Sequence, residues 1–248
     1  MPDKDESLTS HLSALRKMLI RCFICAGIFL IPCFIFSPAA LDFFLKIILA
    51  NSNLSLNYFA PMEIFILQIK IAVFMCLILS FPYIAKNFWD FILPALYDKE
   101  RNFIKPLILS STLLFCGGVT FCFFLILPFI IKFGMSFSSP NMNPLFGVSN
   151  IITLSLTLSA VFGIMFQFPL ITFSLIKSGL ISYESVKSKR SFVIVGILII
   201  AAILTPPDVV SQIMLALPTY LLFELGLFFA RGIKKKKSAE EEEKNTPE

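Results

Sequence analysis

The chain has 248 residues, of which 57% are hydrophobic and only 15% charged, with a formal net charge of +5; soluble domains average about 45–50% and about 25%. Its 29 phenylalanines and mean hydropathy of +0.85 leave too little polar surface to coat a water-soluble globule. A cytosolic enzyme, a nucleic-acid module and a disulfide-stapled secreted domain all fit poorly, and the composition is that of an all-α integral membrane protein.

Residues 1–17 form a lead segment. Leu8, Leu12, Leu15 and Leu19 recur at helical spacing, which predicts an amphipathic helix along the inner membrane surface that runs into the first span. A crossing needs about 20 mostly apolar residues as a helix, and the first candidate covers residues 19–36. A cleaved signal peptide is the other reading of this stretch, with Arg16, Lys17 and Arg21 in front and Ser37-Pro38-Ala39 as a small-residue site. It would leave five spans and set the next loop against the charge pattern.

The second span covers residues 64–85. Lys70 lies about two turns into it near Gln68, where a lysine snorkels outward. The loop beyond carries Phe88, Trp89, Phe91 and Tyr97, then Asp98-Lys99-Glu100-Arg101. One reading is an aromatic belt with solvated charges. In the other, Asp90 and Glu100 are minority acids on a basic face. They would accept a cationic peptide through charge-assisted arginine bonds, with cation–π support from the aromatics.

Spans three and four cover residues 106–131 and 151–176. Gln167 sits near the middle of the fourth beside Pro169, which weakens the helix ladder. It is either a helix-packing amide or a polar lining for a cavity or partner site.

The apolar block from 192 to 230 is too long for one helix, and Thr205-Pro206-Pro207-Asp208 divides it. The result is a hairpin and six transmembrane helices in total. Its first arm, residues 192–204, is only 13 residues, about 20 Å against a bilayer core about 30 Å thick. Either the bilayer thins there or the arm stops short of the far face. Thr205 fits an N-cap, with proline at the first helical position and an acid three residues on. Ser211 and Gln212 follow one turn later, so capping and docking of another membrane helix are compatible readings. Glu224 lies seven residues before Arg231 on the same face, a position for pairing or snorkelling. Residues 18–231 thus form the transmembrane domain. Residues 232–248, with four lysines and then four glutamates, are expected to be a disordered charged cytoplasmic tail whose lysines touch anionic headgroups.

Orientation follows from the basic residues. Eighteen of the 21 lysines and arginines fall before the first span or at its start, between spans two and three, between four and five, and after the sixth. Only Lys46 and Lys132 fall on the opposite side, and Lys70 is inside a span. A Lys/Arg excess marks the cytoplasmic face, so both termini are expected inside.

Catalytic chemistry finds little material. There is no Gly-rich phosphate loop and no G-x-S-x-G turn. The single histidine, His11, lies in the lead segment, and the six cysteines fall in apolar spans without acidic or histidine company, as packing residues. No catalytic residue, metal site or cofactor is expected.

Five motifs in chain order resemble those of the TatC family, the large polytopic subunit of the twin-arginine protein translocase. His11-Leu12-Ser13-Ala14-Leu15-Arg16 resembles H-L-x-E-L-R, and Pro61-Met62-Glu63-Ile64-Phe65 with Lys70 resembles the family's entry to the second span. Residues 89–101, from Trp89 through Pro94 to Glu100-Arg101, resemble W-x-F-x-x-P-[GA]-L-Y-x-x-E-R. Residues 162–169 resemble F-G-x-x-F-E-x-P, and Thr205-Pro206-Pro207-Asp208 with Ser211-Gln212 resembles T-P-x-D-x-x-S-Q.

The resemblance implies a receptor and core scaffold in the bacterial cytoplasmic (inner) membrane. It would bind twin-arginine signal peptides and export folded proteins with the proton-motive force. Phe91 and Glu100 would form the signal-peptide surface, with Arg16 and His11 in the adjoining lead helix. Gln167 would line a concave membrane cavity. Thr205 and Gln212 would help dock the single-span partners TatB and TatA, beside membrane lipid and other copies of the chain. Three departures accompany the match. Ala14 stands where the family usually has glutamate, Gln167 replaces another glutamate and leaves no titratable group there, and the proline often seen in the first outer segment has no clear match near Lys46. The competing class is a small-solute secondary transporter using Lys70, Gln167 and Glu224. It calls for inverted internal symmetry or broken helices at matching positions, and neither is legible in the sequence.

Overall fold

The first helix, α1, runs unbroken from Lys4 to Ala50, about 70 Å at 1.5 Å per residue. Lead segment and first span are therefore one rod. It passes through Pro32 and Pro38 and outlasts the span expected to end at residue 36. Two local facts explain this. Pro38 cannot donate to the carbonyl of Phe34, and the buried Ser37 Oγ donates to that carbonyl instead, at 2.8 Å. Beyond it, Leu41 and Ile48 are buried in one cluster with Leu67, Ile71 and Phe74. The far end thus has a face to bury.

The structure is a computed structural model that describes residues 4–50, 56–92, 101–136, 146–204 and 209–244. After α1 come a two-residue strand β1 (Leu56–Asn57) and α2 (Glu63–Ile92). The third rod is α3 (Arg101–Phe121), a π-helical turn (Cys122–Ile126) and α4 (Leu127–Ser136). Strand β2 (Phe146–Gly147) pairs parallel with β1, Leu56 opposite Phe146. The fourth rod is broken: α5 (Val148–Met165) and α6 (Phe168–Lys177) meet at Phe166–Gln167. Pro169, in the first turn of α6, has no N–H to carry the ladder across. The short α7 (Tyr183–Ser188) follows, its Ser185 N–H donating to Ser182 Oγ at 3.2 Å. It leads into α8 (Arg190–Leu204) and α9 (Val209–Lys244).

Among the described residues, five stretches are long and apolar enough to cross a membrane: Leu12–Ile48, Glu63–Ile92, Lys105–Ser136, Val148–Lys177 and Gln212–Gly232. The expected first arm of the hairpin falls in α8, whose apolar part, Arg190–Ile203, is shorter. Where the sequence predicts a disordered tail from residue 232, the helical backbone of α9 continues to Lys244. Lysine, alanine and glutamate are good helix formers, so high charge does not by itself end the helix.

Packing brings backbones close. The rings of Phe81 in α2 and Phe115 in α3 stack with centroids 3.8 Å apart. A Cβ at Gly118 of α3 would lie 2.6 Å from the carbonyl oxygen of Phe162, so α3 and α5 cross where only glycine fits. Gly226 of α9 meets the backbone of Pro169 in α6 the same way. Phe23, Ile28, Phe192, Ile203 and Phe228 point outward, as a lipid-facing belt requires.

Candidate functional site

The residues that could handle a charged peptide gather where the lead part of α1 passes the C-terminal end of α2. Ala14, Lys17, Met18 and Arg21 line one wall of a cleft of about 210 Å³, and Asn87, Asp90 and Phe91 line the other. Each set follows the three- and four-residue spacing of a single helix face. Asn87 Nδ2 donates to the carbonyl of Tyr83 at 2.8 Å. Trp89 is buried and turns away, its Nε1 donating to Ser111 Oγ of α3 at 2.8 Å. That anchor sets the azimuth of the α2 terminus, so Asp90 and Phe91 face α1. Asp90 Oδ1 is shut off from solvent and accepts no hydrogen bond.

Arg21 also lines a second, mostly apolar cleft of about 290 Å³ with Ile24, Cys25, Ile28, Phe29 and Tyr83. The two clefts share Arg21 and follow the same α1–α2 seam. A polar, mixed-charge end therefore continues into an apolar groove.

Of the residues expected to bind a signal peptide, Phe91 is in this cleft. Arg16 is exposed on α1 and is not part of the lining. His11 lies in the α1 backbone, with its side chain outside the described residues, and Glu100 lies outside them altogether. Lys17, Arg21 and Asn87 were not singled out as site residues, although the spacing Ala14–Lys17–Met18–Arg21 is a helix face readable in the sequence.

The intramembrane polar residues find partners. Gln167 is buried at the α5–α6 break, its Nε2 donating to the carbonyls of Ser111 at 3.1 Å and Gly163 at 3.4 Å. Lys70 does not simply reach outward: its Nζ donates to Thr153 Oγ1 of α5 at 2.9 Å. Glu224 pairs with Arg190 of α8 at 3.1 Å and accepts from the Tyr220 hydroxyl at 2.8 Å, so its partner is not Arg231. The seven-residue spacing to Arg231 is correct for one helix face, but the α8–α9 packing offers a nearer guanidinium. Gln212 Nε2 donates to the carbonyl of Leu198 at 3.1 Å, joining the two hairpin arms. Thr205 lies outside the described residues.

Residues 10–218 match the family model described as Sec-independent protein translocase protein (TatC). The chain belongs to the TatC family. It is 33% identical to the Sec-independent protein translocase protein TatC of Escherichia coli (strain K12), over 91% of this chain and 88% of that one. The TatC of Aquifex aeolicus (strain VF5) is 35% identical over 93% and 97%, and that of Desulforapulum autotrophicum 31% over 97% and 90%. A crystal structure of the twin arginine translocase receptor TatC in DDM superposes with a TM-score of 0.80 at 35% identity, covering 89% of this chain and 99% of that one. The chain is thus a polytopic membrane protein of a protein-translocase family, which is a family of transport components and not of enzymes. Within TatC motifs, the cleft brings together Ala14, the departure in H-L-x-E-L-R, and Asp90, the variable residue after the tryptophan.

Proposed function

We propose that this chain is the signal-peptide receptor and core scaffold of a twin-arginine translocase that exports folded proteins across the bacterial inner membrane with the proton-motive force. In this reading it has six spans, with α8 as the short one, and both termini face the cytoplasm. Residues 1–17 lie at the inner surface and residues 232–248 extend into the cytoplasm. The chain recognises and scaffolds, and carries no catalytic residue of its own.

The observation that carries the reading is the composite seam between α1 and α2. An export signal is a basic segment followed by an apolar run. The seam offers an acid and an aromatic at one end, Asp90 and Phe91, and an apolar groove from Ile24 to Tyr83 at the other. The positive-inside distribution supports putting the acidic end at the cytoplasmic face. We assign Phe91 and Glu100 to the signal-binding surface, with Arg16 and His11 in the adjoining helix. Gln167 is assigned to the cavity wall, its amide turned inward to Ser111. Thr205 and Gln212 are assigned to the docking site for TatB and TatA.

The transporter alternative gains nothing from the two helix interruptions, at Cys122–Ile126 and Phe166–Gln167. They fall in the third and fourth rods, which are not corresponding positions of two inverted halves. Site-specific crosslinking of a twin-arginine signal peptide tests the receptor reading. Glu100→Ala and Glu100→Lys should weaken the crosslink while the protein still inserts, and unchanged crosslinking would remove the surface assignment. Copurification of single-span subunits with a precursor supports the scaffold role. Solute uptake by the purified chain alone in liposomes would favour the transporter.

A further inference from the structure

Thr112, Thr120, Ser155 and Thr219 each donate a hydroxyl to the carbonyl four residues back, which keeps a polar side chain satisfied inside its own helix. Thr153 and Thr157 of α5 do not. Among the described residues neither donates to a carbonyl, and Thr153 Oγ1 instead accepts from Lys70 Nζ of α2 at 2.9 Å. An ammonium has three donors, and this is the bond Lys70 makes. No described acid pairs with it: Glu63, two turns earlier on α2, spends both oxygens on the N–H groups of Phe59, Ala60 and Ser149. Asn150, Thr153 and Thr157 share one face of α5 by their three- and four-residue spacing. That face is open, with Asn150 and Thr157 exposed and Thr153 half-buried. A polar stripe with an unpaired cation thus stands where a lipid-facing surface would ordinarily be apolar.

We propose that this α2–α5 seam holds the phosphate of one outer-leaflet phospholipid, with Lys70 Nζ, Thr153 Oγ1 and the Asn150 amide as donors. The outer side is assigned by the six-span reading above; the site itself is independent of the receptor role. Depth selects a lipid over the acid of a partner helix. The 30 residues of α2 measure about 45 Å, the thickness of a bilayer with both headgroup regions, each about 5–8 Å deep. Lys70 lies about 10 Å and Thr153 about 8 Å from the starts of their helices. The ammonium therefore sits at the inner margin of the headgroup region, within reach of a phosphate above it. The bond to Thr153 holds it in the seam. Thr157, one turn deeper, offers its hydroxyl to an ester carbonyl, and the exposed Ile66, Ile69 and Val73 of α2 give an acyl chain an apolar surface. The open groups are donors and no acid is open to take a headgroup ammonium, so the seam favours an anionic lipid such as phosphatidylglycerol over phosphatidylcholine.

The test is native mass spectrometry of the full-length protein in detergent, titrated with phosphatidylglycerol or with phosphatidylcholine. The wild type should retain one phosphatidylglycerol in preference to phosphatidylcholine. Lys70→Gln should weaken that retention by roughly tenfold or more, as expected for a charge-assisted bond, and Lys70→Arg should preserve it. Thr153→Val combined with Asn150→Ala should weaken it a few-fold, and answers the same question should Lys70→Gln fail to fold. Equal retention by the wild type and these variants overturns the proposal, as does a wild type that does not distinguish the two lipids. Displacement of the lipid by free glycerol 3-phosphate would make this a soluble-phosphate site and also overturns it. So does a Lys70→Gln protein that keeps its lipid but no longer copurifies with single-span subunits, which would give the seam to a partner helix. Loss of signal-peptide binding, the failure of the receptor reading, leaves the lipid result unchanged.

Discussion

Glu63 Oε1 accepts the backbone N–H of Ser149 at 3.1 Å, joining the first turn of α2 to the first turn of α5 across 86 positions. Its other oxygen accepts the N–H groups of Phe59 at 2.7 Å and Ala60 at 3.4 Å. Helix N-termini leave N–H groups unpaired and favour a negative charge, and this one carboxylate serves both the start of α5 and the loop that enters α2. In the β1–β2 bridge, β2 runs directly into α5, and β1 ends five residues before α2. Glu63→Ala should therefore lower the melting temperature of the purified protein by a few degrees. Signal-peptide affinity at the opposite end of α2 should stay at the wild-type value, and a large loss of that affinity would show that the two ends are coupled.

Ser111 of α3 accepts twice, through Oγ from Trp89 and through its carbonyl from Gln167. Ser111→Ala removes only the first bond and leaves the buried indole N–H unpaired. Thermal unfolding should show a loss of about 1–2 kcal/mol. Peptide binding should weaken a few-fold, because Trp89 orients the turn that carries Asp90 and Phe91.

Gln167→Leu should cost about 1 kcal/mol, the usual worth of a side-chain hydrogen bond between membrane helices. It removes the donor to Ser111 and Gly163 at the break between α5 and α6. Peptide binding to this variant should match the wild type, while cargo export in cells reports whether the position also serves the cavity.

Adjacent glycines provide an internally controlled pair. Gly118→Ala places a methyl 2.6 Å from the backbone oxygen of Phe162, whereas a Cβ at Gly117 meets nothing within 4 Å. Gly118→Ala should destabilise by about 1–3 kcal/mol through overpacking. Gly117→Ala should be neutral or slightly stabilising, since alanine is the better helix former. Equal melting temperatures for the two variants would contradict the close α3–α5 crossing.

Gln212→Ala removes the bond to Leu198 that joins the hairpin arms. Crosslinks to single-span partners should fall while signal-peptide binding persists. Loss of both together would mark a misfolded protein instead of a lost docking site.

Apolar content and period alone located every long membrane-capable helix among the described residues, because a crossing segment must satisfy its backbone internally and face lipid with its side chains. The ordered motifs pointed to the family before any coordinates. Boundaries were less legible. Pro38 looks like an end, yet Ser37 takes up the freed Phe34 carbonyl and α1 continues. Pro169 was visible as a weak point, but a full break at Phe166–Gln167 depends on what the loosened groups can bond to.

Partners of polar residues were the least readable, since a side chain in an apolar medium takes whichever group the packing brings within reach. Lys70 chose Thr153, Glu224 chose Arg190, and Glu63 reached Ser149. Sequence alone determined the class of protein, its membrane segments and its charge asymmetry, because composition and period are properties of the chain itself. Only the tertiary structure decided that Ala14 and Asp90 face one cleft, because that depends on the azimuth at which Trp89 anchors α2 to α3.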